Sequence, residues 1–347
     1  MCRFLRPLTL ILLTTAGLLL GLTLIGCKNS IEPEKPPAIN EAIVQIGEEH
    51  YQMGVWTQPT EIYATEPLDR LRLDNNLTAK KDTTLIPSGT PAPIFIEKSE
   101  DGKKLLFIET PLESRPGFWG PLYEIDTQTG EKRRLRDSNH VVSSAVYLPG
   151  SSGKKVVYYS YGSIPEGIED GPIPGYYLLD TETGTDSLLV EHASPAGLEE
   201  IFNGFDVSPD GRTLLYPINY DNIGGARSPK VATYDLPTGI RDTLSWSFRP
   251  QLLWMRYGPS GDQLLYNIYQ EDALSISSGR VDSIGVIDLD TEARRTLRTT
   301  TNPEGESIDL FPRWSPDGQH IVYGSGPVAG ASGAVGNFSL HVLKNVN

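Results

Sequence analysis

Cysteine is nearly missing from this 347-residue chain: Cys2 and Cys27 are the only two, and both fall within the first thirty residues. Past residue 27 there is thus no disulfide framework, thiolate metal site, redox dithiol or cysteine nucleophile. Histidine is scarce too. His50, His140, His192, His320 and His341 are scattered, and none stands at metal-ligand spacing from another. Positive charge is in deficit, with 30 Lys and Arg against 44 Asp and Glu, a formal net charge of −14. A body this acidic repels phosphate backbones, so nucleic acid is not expected as a partner. Solubility is the plain reading of the charge.

What the first thirty residues do contain is an export signal. Arg3 and Arg6 precede an uncharged, leucine-rich run from Leu8 to Leu24, which Leu24-Ile25-Gly26-Cys27 closes. That order reads as a signal peptide over 1–26. The closing four residues resemble the bacterial lipobox. The resemblance implies that Cys27 becomes the first mature residue and carries a diacylglycerol thioether, usually with a further acyl chain on its amine. Two or more acyl chains anchor stably, where one is marginal. The competing reading is an uncleaved membrane helix, because the run is long for a signal core; the lipobox match favours lipidation. Lys28 rather than Asp follows, which by the same resemblance implies the outer membrane in a Gram-negative host. Residues 27–40 then form a lipidated tether, Pro- and Glu-rich from Ile31 to Asn40 with little to bury. The expected location is extracytoplasmic, lipid-anchored to the cell envelope.

The remainder is repetitive. FPRWSPDGQHIVY, Phe311–Tyr323, reads as strand, tight turn, strand: Pro316 presets φ, Asp317 follows, and Gly318 takes the left-handed conformation. The unit recurs around Gly102, Gly153, Gly211 and Gly261, roughly 50 to 58 residues apart. A second unit follows each of the first four copies: an Asp with Thr three residues on, then Gly or Glu, then a leucine. It starts at Asp126, Asp180, Asp235 and Asp288, and the leucines are Leu135, Leu189, Leu244 and Leu297. Because this Asp recurs in every copy, a turn role fits it better than catalysis or metal binding. Two hairpins per period make a four-stranded antiparallel sheet that must stack on its neighbours, which predicts an all-β chain folded as a β-propeller.

The Trp-Ser-Pro-Asp-Gly units resemble the WD40-like (PD40) repeats of the TolB family's propeller, from about Pro91 onward. The α/β domain that precedes the propeller in TolB has no counterpart here, so the resemblance does not bring TolB's own role with it. Clear repeats over about 91–347 and a degenerate blade over about 41–90 predict six blades, with five as the alternative. A strand from the N-terminal region is expected to complete the last blade and hide a sheet edge. Gly324–Gly336 lacks the Lys-Ser/Thr ending of a phosphate loop and reads as a flexible loop.

The turns inside the hairpins are short and the links between them long, so binding is expected on the long-loop face. Trp119, Tyr161, Tyr220, Trp246, Arg249 and Tyr269 are its candidates, since rings beside hydrogen-bonding groups suit sugars or a protein partner. For any one ring, packing down its own loop is the simpler reading. Asp206, Arg256 and Arg313 share one position on the innermost strands. They would hold an anion in the channel or, more simply, form an inter-blade ion-pair network. No Gly-x-Ser-x-Gly elbow and no following hydrolase domain occur, so a propeller peptidase is not expected. The resulting expectation is a non-enzymatic envelope lipoprotein, without metal or cofactor, that meets a protein or cell-wall glycan. The alternative is a carbohydrate-active propeller enzyme resembling oligogalacturonate lyases, which needs a metal or a His/Arg/Tyr cluster at the channel mouth.

Overall fold

The computed structural model describes residues 44–46, 53–65, 68–87, 93–109, 120–137, 140–161, 172–191, 204–218, 230–244, 252–269, 281–299, 307–329, 334–335 and 339–346, and the regular structure among them is all β-strand. Blade 1 is β2 (Gly54–Gln58), β3 (Glu61–Ala64), β4 (Leu68–Leu73) and β5 (Ala79–Ile86). Blade 2 is β6 (Pro93–Lys98), β7 (Lys104–Glu109), β8 (Leu122–Asp126) and β9 (Lys132–Arg134). Blade 3 is β10 (Val142–Tyr147), β11 (Lys155–Ser160), β12 (Gly175–Asp180) and β13 (Asp186–Glu191). Blade 4 is β14 (Asp206–Val207), β15 (Thr213–Ile218), β16 (Lys230–Asp235) and β17 (Arg241–Leu244). Blade 5 is β18 (Leu252–Tyr257), β19 (Gln263–Tyr269), β20 (Val281–Asp288) and β21 (Arg294–Thr299). In blade 6, β22 (Ser307–Trp314), β23 (Ile321–Ala329) and β25 (Ser339–Leu343) are completed by β1 (Val44–Ile46). The six sheets form a ring, a six-bladed β-propeller.

The ring closes as expected from sequence. Val44 pairs with Val342 and Ile46 with Leu340, so the first strand covers what would be an open edge beside the last. In the degenerate blade the sequence suggests strands over Tyr51–Thr57, Arg70–Asp74 and Asp82–Ile86, which β2, β4 and β5 overlap, and β3 adds one that the pattern did not reveal. Part of the glycine-rich stretch after Tyr323, expected as a loop, is strand. β23 runs on to Ala329, and β24 (Ala334–Val335) folds back on it, pairing Val328 with Val335 and Ala329 with Ala334.

Each blade's first strand is innermost: β6 touches β2 and β10, β22 touches β2 and β18, and β18 touches β14. The tight turns share one face. Thr127 N–H donates to Lys103 O (2.8 Å), so the second turn of blade 2 sits on its first. Thr181 on Lys154 (2.8 Å), Leu236 on Arg212 (2.7 Å) and Leu289 on Asp262 (2.8 Å) repeat the bond. Inside the second turns, the Asp126 carboxylate accepts the N–H groups of Gln128 (2.8 Å) and Thr129 (2.7 Å). Asp180, Asp235 and Asp288 act alike, and these bonds hold their carboxyls below the usual range. These recurring aspartates are turn residues.

Successive first turns also stack from blade to blade. Gly211 has φ +72°, and a Cβ there would lie 2.7 Å from the Pro149 carbonyl oxygen. At Gly261 a Cβ would lie 3.3 Å from the Pro209 ring, and at Gly318 3.7 Å from the Pro259 ring, an ordinary contact. In blades 4, 5 and 6 a proline of the preceding first turn thus lies over the turn glycine, and at Gly211 only glycine tolerates both the left-handed φ and the approach.

Candidate functional site: the channel and the long-loop face

Along the axis, one residue per blade occupies the same register of the inner strand: Val55, Glu97, Val146, Asp206, Arg256 and Arg313. Their partners on the second strands are Tyr63, Leu106, Val157, Leu215, Leu265 and Val322. The expected column of Asp206, Arg256 and Arg313 therefore has a fourth charged member, Glu97. It lies two residues before the turn-opening Ser99, where Asp206, Arg256 and Arg313 lie relative to Ser208, Gly258 and Ser315.

The layer is an inter-blade ion-pair network. The Glu97 carboxylate is 3.4 Å from Arg313 Nη2 and 3.7 Å from Arg256 Nη2, so it joins blade 2 to blade 6 and, across the axis, to blade 5. Arg256 Nη1 also donates to the Phe205 carbonyl and to Met255 O (3.1 Å). Asp206 accepts the Val207 N–H (2.9 Å) and, from the next blade, the Tyr257 N–H (2.8 Å). Both guanidiniums lie over the Trp254 ring, 4.3 Å and 4.5 Å from its centroid, and Phe311 packs edge-on to the same ring at 5.0 Å. Two β-bulges, between Leu252 and Met255 and between Leu310 and Arg313, lie beside these rings, and Phe311 adopts φ +55° there.

Burial governs the electrostatics. Arg256 and Arg313 are each 4% exposed. Desolvation, and then the neighbouring Arg256 charge, push the Arg313 guanidinium down to about 9. Desolvation also pushes the Asp206 carboxyl up to about 6, against the pull of Arg256 and with Glu97 adding to the rise. With two cations facing two carboxylates, the layer is self-compensated and turned inward. It lies toward the tight-turn end of the inner strands and reaches across the axis from blade 2 to blade 5.

The long-loop face is less fully described. Cys27, Trp119, Tyr220, Trp246 and Arg249 lie outside the described residues. Tyr269 ends β19 at the long-loop end, opposite Val281. Tyr161 leaves β11 at that end, where its N–H donates to Val141 O (3.0 Å) and its ring packs edge-on against Tyr159 at 5.0 Å. Tyr161 is thus a packed ring of the blade 3–blade 4 core. Arg256 and Arg313 stand at the other end of their strands, so the structure does not bring them together with Tyr161 and Tyr269.

The described histidines lie apart. His140 sits between Asp137 (3.4 Å) and Asp186 (3.9 Å), His320 stacks on Trp56 with centroids 6.2 Å apart, and His341 stacks on Tyr323 at 5.5 Å. Burial lowers the pKa of both His320 and His341. Among the described residues no three His, Cys, Asp or Glu are grouped to hold a metal ion. No helix there is long and apolar enough to cross a membrane.

No protein-family profile matches the sequence. Among solved structures the chain is similar to TolB from Acinetobacter baumannii, with TM-score 0.54 and 16% identity over 85% of this chain and 63% of that one. The fold is a TolB-like propeller. The chain spans less than two thirds of that TolB's length. The chain is similar to other solved structures as well. Oligogalacturonate lyase from Vibrio parahaemolyticus matches with TM-score 0.51 and 13% identity over 84% of this chain and 76% of that one. Hydrazine synthase from Kuenenia stuttgartiensis gives the same score and identity over 81% and 75%. At these identities the likeness concerns the fold alone.

Proposed function

We propose that the chain is a lipid-anchored protein of the cell envelope whose propeller binds a protein or cell-wall component on its long-loop face, without catalysis. The observation that carries the reading is the difference between the two ends of the disc. At the tight-turn end the turns are bonded to one another, and a buried, charge-balanced layer of ion pairs reaches across the axis. A ligand is therefore met at the other end, where the long links run. The leader and Cys27 support the anchor, and the TolB-like fold supports an envelope setting.

In-cell crosslinking followed by mass spectrometry tests the binding reading. One dominant protein partner, lost in Trp119→Ala or Trp246→Ala without a fall in melting temperature, is the expected result. A large fall in melting temperature would show those rings to be core. Cys27→Ala should release the protein from membranes or leave an unprocessed precursor, and unchanged mass and fractionation would sink the anchor. The second reading, a polysaccharide lyase, is favoured by the likeness to oligogalacturonate lyase. It moves ahead if crosslinking yields only background while oligosaccharides with divalent metals shift the melting temperature.

A further inference from the structure

We infer that the long-loop end of the seam between blades 5 and 6 is a binding site for a neutral, hydroxyl-rich ligand, a sugar residue of a cell-wall glycan. The inference rests on the reading of the long-loop face as the binding face and selects, of the two partner classes given for it, the glycan. In one layer this seam departs from the pattern of the other blades. The residue after the repeat's Phe or Tyr is Ile108, Tyr159, Pro217, Asn267 or Gly324, so blade 5 alone of these five places an amide there. One residue further along, Glu109, Ser160, Ile268 and Ser325 pair with Pro93, Val142, Leu252 and Asp309, so blade 6 alone of these four sets a charge in that row of the inner strand. Both positions lie away from the tight turns. Gln263 pairs with Asp288 beside the turns of blade 5, and Trp314 with Ile321 beside the turn of blade 6.

The two departures meet across the seam. Asn267 Nδ2 donates to the Asp309 carbonyl (2.9 Å), and Arg298 Nε, from the outer strand of blade 5, donates to the Asp309 carboxylate. The Arg298 guanidinium lies over the Tyr323 ring, 5.2 Å from its centroid, and His341 stacks on the same ring. His341 Nε2 is 3.1 Å from the Ser339 hydroxyl. Asn267 and Asp309 are fully buried, whereas Arg298, Ser339 and His341 are half-buried and carry the layer out to the surface. A buried ion pair stabilises no better than the apolar residues found in this row of other blades, so stability does not account for the departure.

Two polar atoms of the layer are left over. Because Asn267 Nδ2 donates to a carbonyl, its Oδ1 is an acceptor, and it has no hydrogen-bond partner at 0% exposure. His341 Nδ1 has none either. Burial, and then the Arg298 charge, lowers the His341 pKa, so its ring is neutral at pH 7, with one nitrogen donating and the other accepting. The Arg298 charge is met by Asp309, and the chain carries a net charge of −14, so nothing in the site favours an anionic ligand. A sugar ring presents adjacent hydroxyls that both donate and accept, which matches an amide oxygen beside a neutral imidazole.

The test uses the full-length protein in detergent, screened on an array of neutral and uronate-bearing oligosaccharides and then titrated calorimetrically with the strongest binder. A neutral oligosaccharide should bind saturably. Asn267→Leu and His341→Phe should each weaken it by about tenfold or more, roughly 1.4 kcal/mol. Ile240→Lys, an exposed position after the second turn of blade 4, should leave it unchanged. Should Asn267→Leu melt early, His341→Phe, which keeps a ring against Tyr323, decides alone. Absence of binding on the array would overturn the proposal and leave ordered water as the occupant. Binding confined to uronate-bearing glycans, or an affinity that neither variant changes, would overturn it too. A crosslinked protein partner retained by both variants, with no glycan bound, would overturn it while leaving the long-loop face as the binding face.

Discussion

Glu97→Gln is the sharpest probe of the channel layer, because one carboxylate there faces two guanidiniums. At about 3.5 Å and an effective dielectric of 20, each pair amounts to roughly 5 kcal/mol of attraction before desolvation is charged against it. The net loss is smaller. Removing one partner of a buried pair typically destabilises by about 3–5 kcal/mol, since the other charge stays buried. Asp206 remains beside Arg256, and Glu97 keeps 15% side-chain exposure, so the expected loss is about 3 kcal/mol. For a domain of this size that is a fall of roughly 6–12 °C in melting temperature. Urea unfolding followed by tryptophan fluorescence measures it, with Trp254 lying directly beneath both guanidiniums. Replacing Glu97, Asp206, Arg256 and Arg313 together by Leu, Asn, Met and Met should destabilise less than the single change, because no charge is left stranded. A loss under about 1 kcal/mol for Glu97→Gln would refute the argument and show that Asp206 and the Trp254 ring suffice for both cations.

Asp206 makes a prediction of opposite sign to ordinary acid denaturation. Its folded pKa, about 6, lies above the ordinary value of 3.8, so its contribution to stability is full below about pH 4 and is lost as pH rises through 6. Wild type should therefore gain on Asp206→Asn as pH falls from 7 to 4, read as the difference between their urea midpoints at each pH. Gly211→Ala and Gly130→Ala form a matched pair, with φ +72° and +73°. Gly130 has open space around it, so its change should cost only the left-handed strain, about 1–2 kcal/mol. Gly211 should lose a further 1 kcal/mol or so against the Pro149 carbonyl, and equal losses would show that the blade-to-blade contact yields freely. Glu292 takes φ +57° where the other second turns have glycine, so Glu292→Gly should raise stability by about 1 kcal/mol in the same assay.

The fold was legible because its turns are spelled out. Ser-Pro-Asp-Gly and Asp-x-x-Thr-Gly specify local bonds within a few residues, and their spacing fixes the blade period. Blade 1 was harder, since its first hairpin turns through Pro59 and Thr60 without a glycine, and the four-residue β3 carries no alternation long enough to recognise. The channel layer was half legible. Asp206, Arg256 and Arg313 align by counting back from the turn, and Glu97 aligns in the same way. Val146 does not, because the turn of blade 3 is longer: Leu148 N–H closes on Lys155 O, seven residues on, where Ser208 closes on Thr213. That Tyr161 is packed and the two arginines are turned inward depends on contacts between strands, which spacing does not encode.

The seam in blade 6 gives the molecule a direction in time. β1 is the first strand of the propeller to leave a ribosome or an export channel, and its partner β25 is the last. Until that partner arrives, Val44–Ile46 has no edge to join, and the five blades between can form only an open arc. Completion is therefore a single late event that requires the whole chain. A truncated product would keep well-formed blades yet expose the core between blades 1 and 6, where Trp56 and Leu71 now pack with Val322 and Leu340. Such an arc offers chaperones and proteases a plain mark of an unfinished molecule.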